Sequence, residues 1–306
     1  MMQRRQLLAS GLWATLSLPA SAASSAYPPS AEPLRVVASF SILADWLREI
    51  GGNAVRVEAL VGPNADAHVF NPRPSDARKL AQAELVAVIG LGFEGWIRRL
   101  IKASGSRAPV VQASEGIQAL KGGHGHGHDL DPHFWHDPER TRQALHTLRD
   151  ALSRARPAEA EGFGRRCASY EAQLMALHEQ VQAWIEPVPP SQRRVLTHHD
   201  AFAYFGKAYG VQFLAIKGMN TEAEATAGSV ARLIQQLRRE RVRAVFVENI
   251  SDPRLVQRIA AEAGATVGGR LYSDALSAPG GEADTYLKLL AHNARSITTA
   301  LQGKPS

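Results

Sequence analysis

The chain is expected to fold as an α/β protein of two lobes, each a four-stranded parallel sheet flanked by helices, joined by one long helix. Three features of its 306 residues carry this expectation. Short, nearly continuous apolar runs alternate with helix-like segments from about residue 33 to residue 156, the pattern of buried parallel strands and covering helices. The same alternation resumes at residue 187 and continues to residue 306. Between them, over residues 157–186, apolar side chains recur at helical spacing without a break.

Ahead of the first strand stands MMQRRQLLASGLWATLSLPASAAS. Two arginines, an apolar run from Leu7 to Leu18, Pro19 and the small triplet Ala20-Ser21-Ala22 read as a cleavable export signal over residues 1–22. The apolar run is too short to span a bilayer, and no later segment reaches that length, so a protein working outside the cytoplasm, in the periplasm, is expected. No cysteine follows the run, so no lipid anchor is expected there. Arg4-Arg5 leaves a twin-arginine route open beside the general one. Without residues 1–22 the chain keeps 33 basic and 29 acidic side chains, a net charge of +4. That excess forms no basic stripe with interleaved aromatics, which argues against nucleic acid. Cys167 is the only cysteine, so stability must come from ordinary burial and not from an internal disulfide.

Taken in order, LRVVASF (34–40) reads as a strand and SILADWLREIGG as the helix after it, closed by glycine. VRVEAL (55–60) precedes a loop and a helix starting near Ser75. LVAVIG (85–90) precedes GWIRRLIKAS, and PVVQAS (109–114) precedes a histidine-rich loop at 122–129. Beyond Pro157, Phe163, Cys167, Tyr170, Leu174, Leu177, Val181 and Trp184 hold a 4-3-4-3 spacing up to Pro187. One helix over 157–186 would run roughly 45 Å, enough to cross between two lobes. After it, RRVLTHH (193–199), VQFLAI (211–216), RAVFVEN (243–249) and ATVGGR (265–270) read as strands, with helices at 226–240 and 253–263 among the intervening segments.

Five of the eleven histidines fall between positions 124 and 136, in GGHGHGHDLDPHFWHDP. Imidazole is the commonest protein ligand for zinc and its neighbours. His124, His126 and His128 alternate with glycine, which can gather metal but cannot define a geometry. His133 and His136 differ, because Pro132 and Pro138 restrict the backbone around them and Phe134 and Trp135 can anchor the turn. Ligands in open parallel sheets sit beyond the carboxyl ends of the strands. There lie His68 after the second strand, His133 after the fourth, His198 and His199 at the end of the fifth, and Asp274 after the last. Three imidazoles and a carboxylate make a tetrahedral zinc set, two donors from each lobe. Asp131 and Asp200 are placed to support a ligand imidazole, and Glu248 to orient the site or cap a helix. Cys167, on the helix stripe, reads as packing.

GLGFEG (90–95) imitates a dinucleotide fingerprint, with Glu115 at the end of the next strand. Glu94 would put a carboxylate where a pyrophosphate should sit, and the unit is the third strand-helix pair rather than the first. A tight strand-to-helix turn is the better reading.

Together, DAHVFNPRPSD, GLGFEGWIRRL, DPHFWHDP, THHDAFAYFGKAYG, NTEAEATAGSV and LYSDALS resemble the zinc/manganese-type solute-binding proteins of ABC metal importers, from about Leu34 to the end of the chain. The resemblance implies two α/β lobes joined by a rigid helix, with the metal buried between them. It implies His68, His133, His199 and Asp274 as ligands, and His198 as a neighbour that strand alternation sends to the opposite face. His136 stands where the family does not usually place a ligand and is left as an auxiliary residue. The GHGHGH run is similar to the longer, more acidic loops of zinc members. A non-enzymatic monomer is expected, with zinc as the transported ion ahead of manganese, an inner-membrane permease as partner, and a metal-donating protein as a second one. A zinc hydrolase and a metal-dependent surface adhesin are the alternatives.

Overall fold

The structure is a computed structural model that describes residues 32–122, 130–219, 221, 225–242 and 244–303. The export signal expected at 1–22 and the loop histidines His124, His126 and His128 lie outside the described residues. The first sheet comprises β1 (Leu34–Phe40), β2 (Val55–Val61), β3 (Leu85–Val88) and β4 (Val110–Gln112), all parallel in the order β2-β1-β3-β4. Composition sets that order. The near-continuous apolar strands β1 and β3 are buried along almost their whole length and sit in the middle, whereas VRVEALV alternates and takes an edge. Helices α1 (Ser41–Gly51), α2 (Pro74–Gln82) and α3 (Ile97–Ser104) follow the first three strands.

Helix α4 (Pro138–Ala155) is hidden in the sequence by its charge, yet Ala144, Leu145, Leu148, Ala151 and Leu152 form a buried stripe at 3-4 spacing. Asp137 starts it: its carboxylate accepts the Glu139 N–H at 3.0 Å, and Pro138 occupies the first turn. A 3-10 turn (Pro157–Glu159) then leads into α5 (Ala160–Ile185), so the long helix begins three residues later than the proline suggested. At 1.5 Å per residue its 26 residues span about 39 Å. Phe163, Cys167, Tyr170 and Leu174 are buried in the first lobe, Val181 and Ile185 in the second, and Leu177 packs against both cores.

The second sheet repeats the plan with β5 (Arg194–His199), β6 (Gln212–Lys217), β7 (Ala244–Glu248) and β8 (Thr266–Leu271), parallel in the order β6-β5-β7-β8. Helices α6 (Ala203–Tyr209), α7 (Ala227–Glu240), α8 (Arg254–Ala263) and α9 (Tyr286–Leu301) cover it. Gly268 lets α9 lie close on β8, since a Cβ there would stand 2.9 Å from both the Phe246 ring and the Ala300 methyl. In each lobe the chain reverses its direction of strand addition, between β1 and β3 and again between β5 and β7. These are the crevices where open parallel sheets bind ligands.

More than α5 joins the lobes. Tyr204, Tyr272, Leu276, Ala283, Tyr286, Leu289 and Leu290 belong to the same buried cluster as Phe40, Trp46 and Trp135. Polar contacts reinforce it: Leu276 donates its N–H to Ser41 Oγ at 3.0 Å and accepts the Asn64 N–H at 2.9 Å. Asp45 on α1 accepts the N–H of Tyr286, the first residue of α9, at 2.8 Å, a favourable place for an anion. The long helix is therefore a strut across a joint that is already closed by packing.

Burial raises the Asp45 carboxyl to about 6, against lowering by the Tyr286 N–H and Arg48. With the folded value above the ordinary one near 3.8, the native state binds the extra proton. This contribution to stability is full below the ordinary value and is lost as pH rises to about 6, by at most about 3 kcal/mol. Asp45→Asn keeps an acceptor for Tyr286 and removes the titration. Urea unfolding of the metal-free protein at pH 4.5 and 6.5 should show a smaller fall in stability for the variant than for the parent chain.

Candidate metal centre

The four side chains that the loops place at the carboxyl ends of the sheets come from both lobes. His68 lies in the loop after β2, and its N–H is held by Asp66 Oδ1 at 2.8 Å. His133 follows β4, and Asp131 Oδ1 accepts both its N–H at 2.9 Å and its Nδ1–H at 2.8 Å. Asp66-Ala67-His68 and Asp131-Pro132-His133 are thus the same local device, an aspartate folding back on the backbone two residues ahead. His199 ends β5, and Asp274 stands three residues beyond the end of β8. Glu248, at the end of β7, receives the N–H of His198 at 2.8 Å and of His199 at 3.0 Å on one oxygen. Its other oxygen receives His199 Nδ1–H at 2.5 Å and the Ser273 hydroxyl at 2.8 Å.

Orientation follows from those partners. Because the Nδ1 atoms of His133 and His199 are committed as donors to carboxylates, their Nε2 atoms point inward as the free positions. His68 Nε2 lies 3.3 Å from His133 Nε2 and 3.3 Å from Asp274 Oδ2. His199 Nε2 is 3.1 Å from Asp274 Oδ2, and His133 Nε2 is 3.7 Å from Asp274 Oδ1. Donors about 2.0–2.1 Å from a tetrahedral ion stand roughly 3.3 Å apart, so a group with these separations could hold an ion. One hydrogen bond, between the Nε2 atoms of His68 and His133, and the ion pairing of Asp274 with His68 and His199 draw the four together, yet His199 Nε2 and both Asp274 oxygens make no well-aligned hydrogen bond among the described residues. His133, His199 and Asp274 are fully buried, and the His68 side chain is 6% exposed. Phe93 closes one side, edge-on to His68 at 4.7 Å and to His133 at 6.0 Å.

The charges within this set partly balance one another. Burial disfavours the His199 imidazolium, but the carboxylates of Glu248 and Asp274 outweigh it and hold its pKa well above the ordinary imidazole value. Asp274 is likewise ionised: burial would raise it, yet His199 and His133 keep it well below the usual carboxylate range. A proton on His199 thus occupies part of the place that a metal would take.

The other candidates lie apart from this centre. His198, His199 and Glu248 also stand within ligand distance of one another. Each oxygen of Glu248 already accepts two hydrogen bonds, and His199 Nδ1 is one of the donors, so this group supports the centre and does not form a second one. His198 is buried, which lowers its pKa, and its Nδ1 has no partner among the described residues. His136 packs on Phe202 with ring centroids 4.5 Å apart, and burial holds it neutral, its pKa lowered to about 3. Asp200 lies in the turn after β5, where its N–H donates to Gly218 O at 3.4 Å. Cys167 is packed on α5. In the glycine-rich turn, Glu94 folds inward and accepts Ile89 N–H at 2.6 Å, Gly90 N–H at 3.1 Å and the Ser39 hydroxyl at 2.6 Å. The backbone donors a phosphate would need are therefore taken.

Sequence reasoning missed three supports. Asp66 was legible, because Asp-x-His occurs at both first-lobe histidines. Tyr204, which donates to the Asp131 carbonyl at 2.7 Å, and the Trp135 indole, which donates to the Ser273 carbonyl at 2.8 Å, cross between lobes and carry no local signal.

Residues 36–300 match the family described as ZnuA, zinc-uptake complex component A, periplasmic. The manganese-binding lipoprotein MntA of Bacillus subtilis is 32% identical over 98% of this chain and 100% of its own length. The zinc-binding protein TroA of Treponema pallidum is 30% identical over 87% of this chain and 88% of its own. The solved structure of the periplasmic zinc-binding protein TroA from the same organism aligns with a TM-score of 0.83 and 28% identity, covering 89% of this chain and 99% of that one. With two parallel sheets, a long linking helix and a match over nearly all the described residues, this chain belongs to the ZnuA family of metal-binding receptors of ABC importers.

Proposed function

We propose that the chain captures a divalent ion outside the cytoplasm, zinc in preference to manganese, with His68, His133, His199 and Asp274 as the ligands, and delivers it to the permease of an ABC importer. The observation that supports this reading best is the meeting of four donors from both lobes within 4.8 Å of one another, with three of the separations at 3.1–3.3 Å. Three imidazoles and one carboxylate suit zinc, whereas manganese favours more oxygen and a larger shell. Manganese keeps two supports of its own. Both Asp274 oxygens face the centre, which allows a fifth donor, and MntA is named for manganese. Delivery rather than catalysis fits four protein donors, because a catalytic zinc needs a position left open for substrate or water. No helix among the described residues is long and apolar enough to cross a membrane.

His124, His126 and His128 are proposed to gather metal ahead of the cleft. Their segment leaves and rejoins the described chain at an antiparallel bridge between Lys121 and Leu130, next to Asp131, which supports His133. Ordering a glycine-histidine run around an ion costs roughly 1–2 kcal/mol per residue fixed, so any site there is weaker than the cleft.

Direct competition between the two ions near neutral pH should leave zinc bound at equal concentrations; manganese holding its own would overturn the choice of metal. His133→Ala should abolish most of the zinc-induced rise in melting temperature while His198→Ala keeps it. At a thousandfold excess over the dissociation constant that rise corresponds to about 4 kcal/mol. Equal losses would mean that the wrong imidazoles have been chosen. With the His199 pKa raised, zinc must displace a proton at neutral pH, so affinity should fall as pH is lowered. Calorimetry in buffers of different ionisation enthalpy should report proton release on binding.

A further inference from the structure

Three of the tryptophans are fully or almost fully buried in the same core cluster, and the fate of their indole N–H groups differs. Trp96 donates to the carbonyl of Ala67 at 2.7 Å, the residue before His68. Trp135 donates to the carbonyl of Ser273 at 2.8 Å, the residue before Asp274. Trp46, in the same core, has no partner for its N–H among the described residues. A buried indole N–H ordinarily finds an acceptor. Here the two that do so each meet the peptide that carries a candidate ligand.

Only the Trp135 bond crosses between lobes. Its residue sits two positions after His133, with its ring 5.1 Å from that imidazole, and it is wedged against Phe40 at 5.3 Å and Phe93 at 5.0 Å. Its carbonyl is held by the Tyr286 hydroxyl at 2.5 Å, and Tyr286 Oη also lies 2.8 Å from Thr141 Oγ1. On the far side, the Ser273 hydroxyl donates to Glu248, which orients His199. Trp135 thus meets the imidazole of His133 with its ring on one hand and the peptide of Asp274 with its N–H on the other. We propose that Trp135 is a positioning residue for metal retention, its N–H to Ser273 setting the separation of the His133 and Asp274 halves of the site. This rests on the reading of those four side chains as ligands.

Removing a group that orients a ligand typically costs 10–100-fold in metal affinity. Trp135→Phe keeps an aromatic ring in the core and deletes the N–H. It should release zinc at least about tenfold faster, measured by stopped-flow chelator capture from the loaded full-length protein. Trp46→Phe, which deletes an N–H without a partner, is the packing control and should lower metal-free stability without changing the release rate. Tyr286→Phe removes the shorter of the two hydroxyl hydrogen bonds to the Trp135 carbonyl, keeping that from Thr141 Oγ1 at 3.4 Å, leaves the indole in place, and should shift release in the same direction by less. It also carries the test if Trp135→Phe does not fold. Unchanged release in Trp135→Phe, or in a folded Tyr286→Phe when Trp135→Phe cannot be obtained, would overturn the proposal. A release rate that rises equally in Trp46→Phe would do the same by reducing Trp135 to core packing. His133→Ala separates the two levels of inference: zinc retained at full affinity there would defeat the ligand assignment itself, whereas zinc lost there and unaffected by Trp135→Phe would defeat only the positioning role.

Discussion

The rest of the molecule depends on one electrostatic constraint, the crowding of three imidazoles and one carboxylate around a single point, where only His199 and Asp274 are held in opposite charge states. Asp131 and Glu248 create it by taking the Nδ1 protons of His133 and His199, which leaves Nε2 facing Nε2 and a carboxylate across a few ångströms. The arrangement is not held by the His199–Asp274 attraction alone. It is held by rigid surroundings: a strand end for His199, an aspartate-locked turn for each first-lobe histidine, and a core of Phe93, Trp135 and Phe40 behind them. The centre is affordable because neither lobe bears it alone.

That division explains the topology. Parallel strands in the order β2-β1-β3-β4, and again β6-β5-β7-β8, open a crevice at one end of each sheet. Each crevice contains a buried glutamate saturated by backbone and hydroxyl donors. In the second lobe it is Glu248, whose remaining capacity orients His199. In the first it is Glu94, whose oxygens are met by Ile89, Gly90 and Ser39. Burial raises the Glu94 pKa and its hydrogen-bond donors only partly oppose this, whereas His199 lowers that of Glu248. Similar positions in repeated architecture have acquired different electrostatics because only one has an imidazole within reach.

Much of this was legible in the chain. The strands of both sheets stand within two or three residues of the apolar runs that announced them, because a strand buried on both faces has few polar residues to blur it. Helix α4 was not legible from the apolar pattern, since the stripe from Ala144 to Leu152 lies among arginines and acids that suit its solvent face. The close approach of His68, His133, His199 and Asp274 could be anticipated from loop position, because strand ends in a parallel sheet converge. The tethers from Tyr204 to Asp131 and from Trp135 to Ser273 could not, because each joins residues far apart in sequence through a single polar atom on an otherwise apolar side chain.

The core shared across the lobes bears on cooperativity. Tyr204, Tyr286, Leu289 and Leu290 come from the second half of the chain and are buried with Phe40, Trp46 and Trp135 from the first. Neither half can lose its order without exposing apolar surface that the other half covers, at about 25 cal/mol for each Å² uncovered. Two architecturally separate lobes are thereby bound into one thermodynamic unit. A packing defect in α1 or α9 should be felt equally by both, and an ion bound where they meet would stabilise the whole chain and not merely the loops around it.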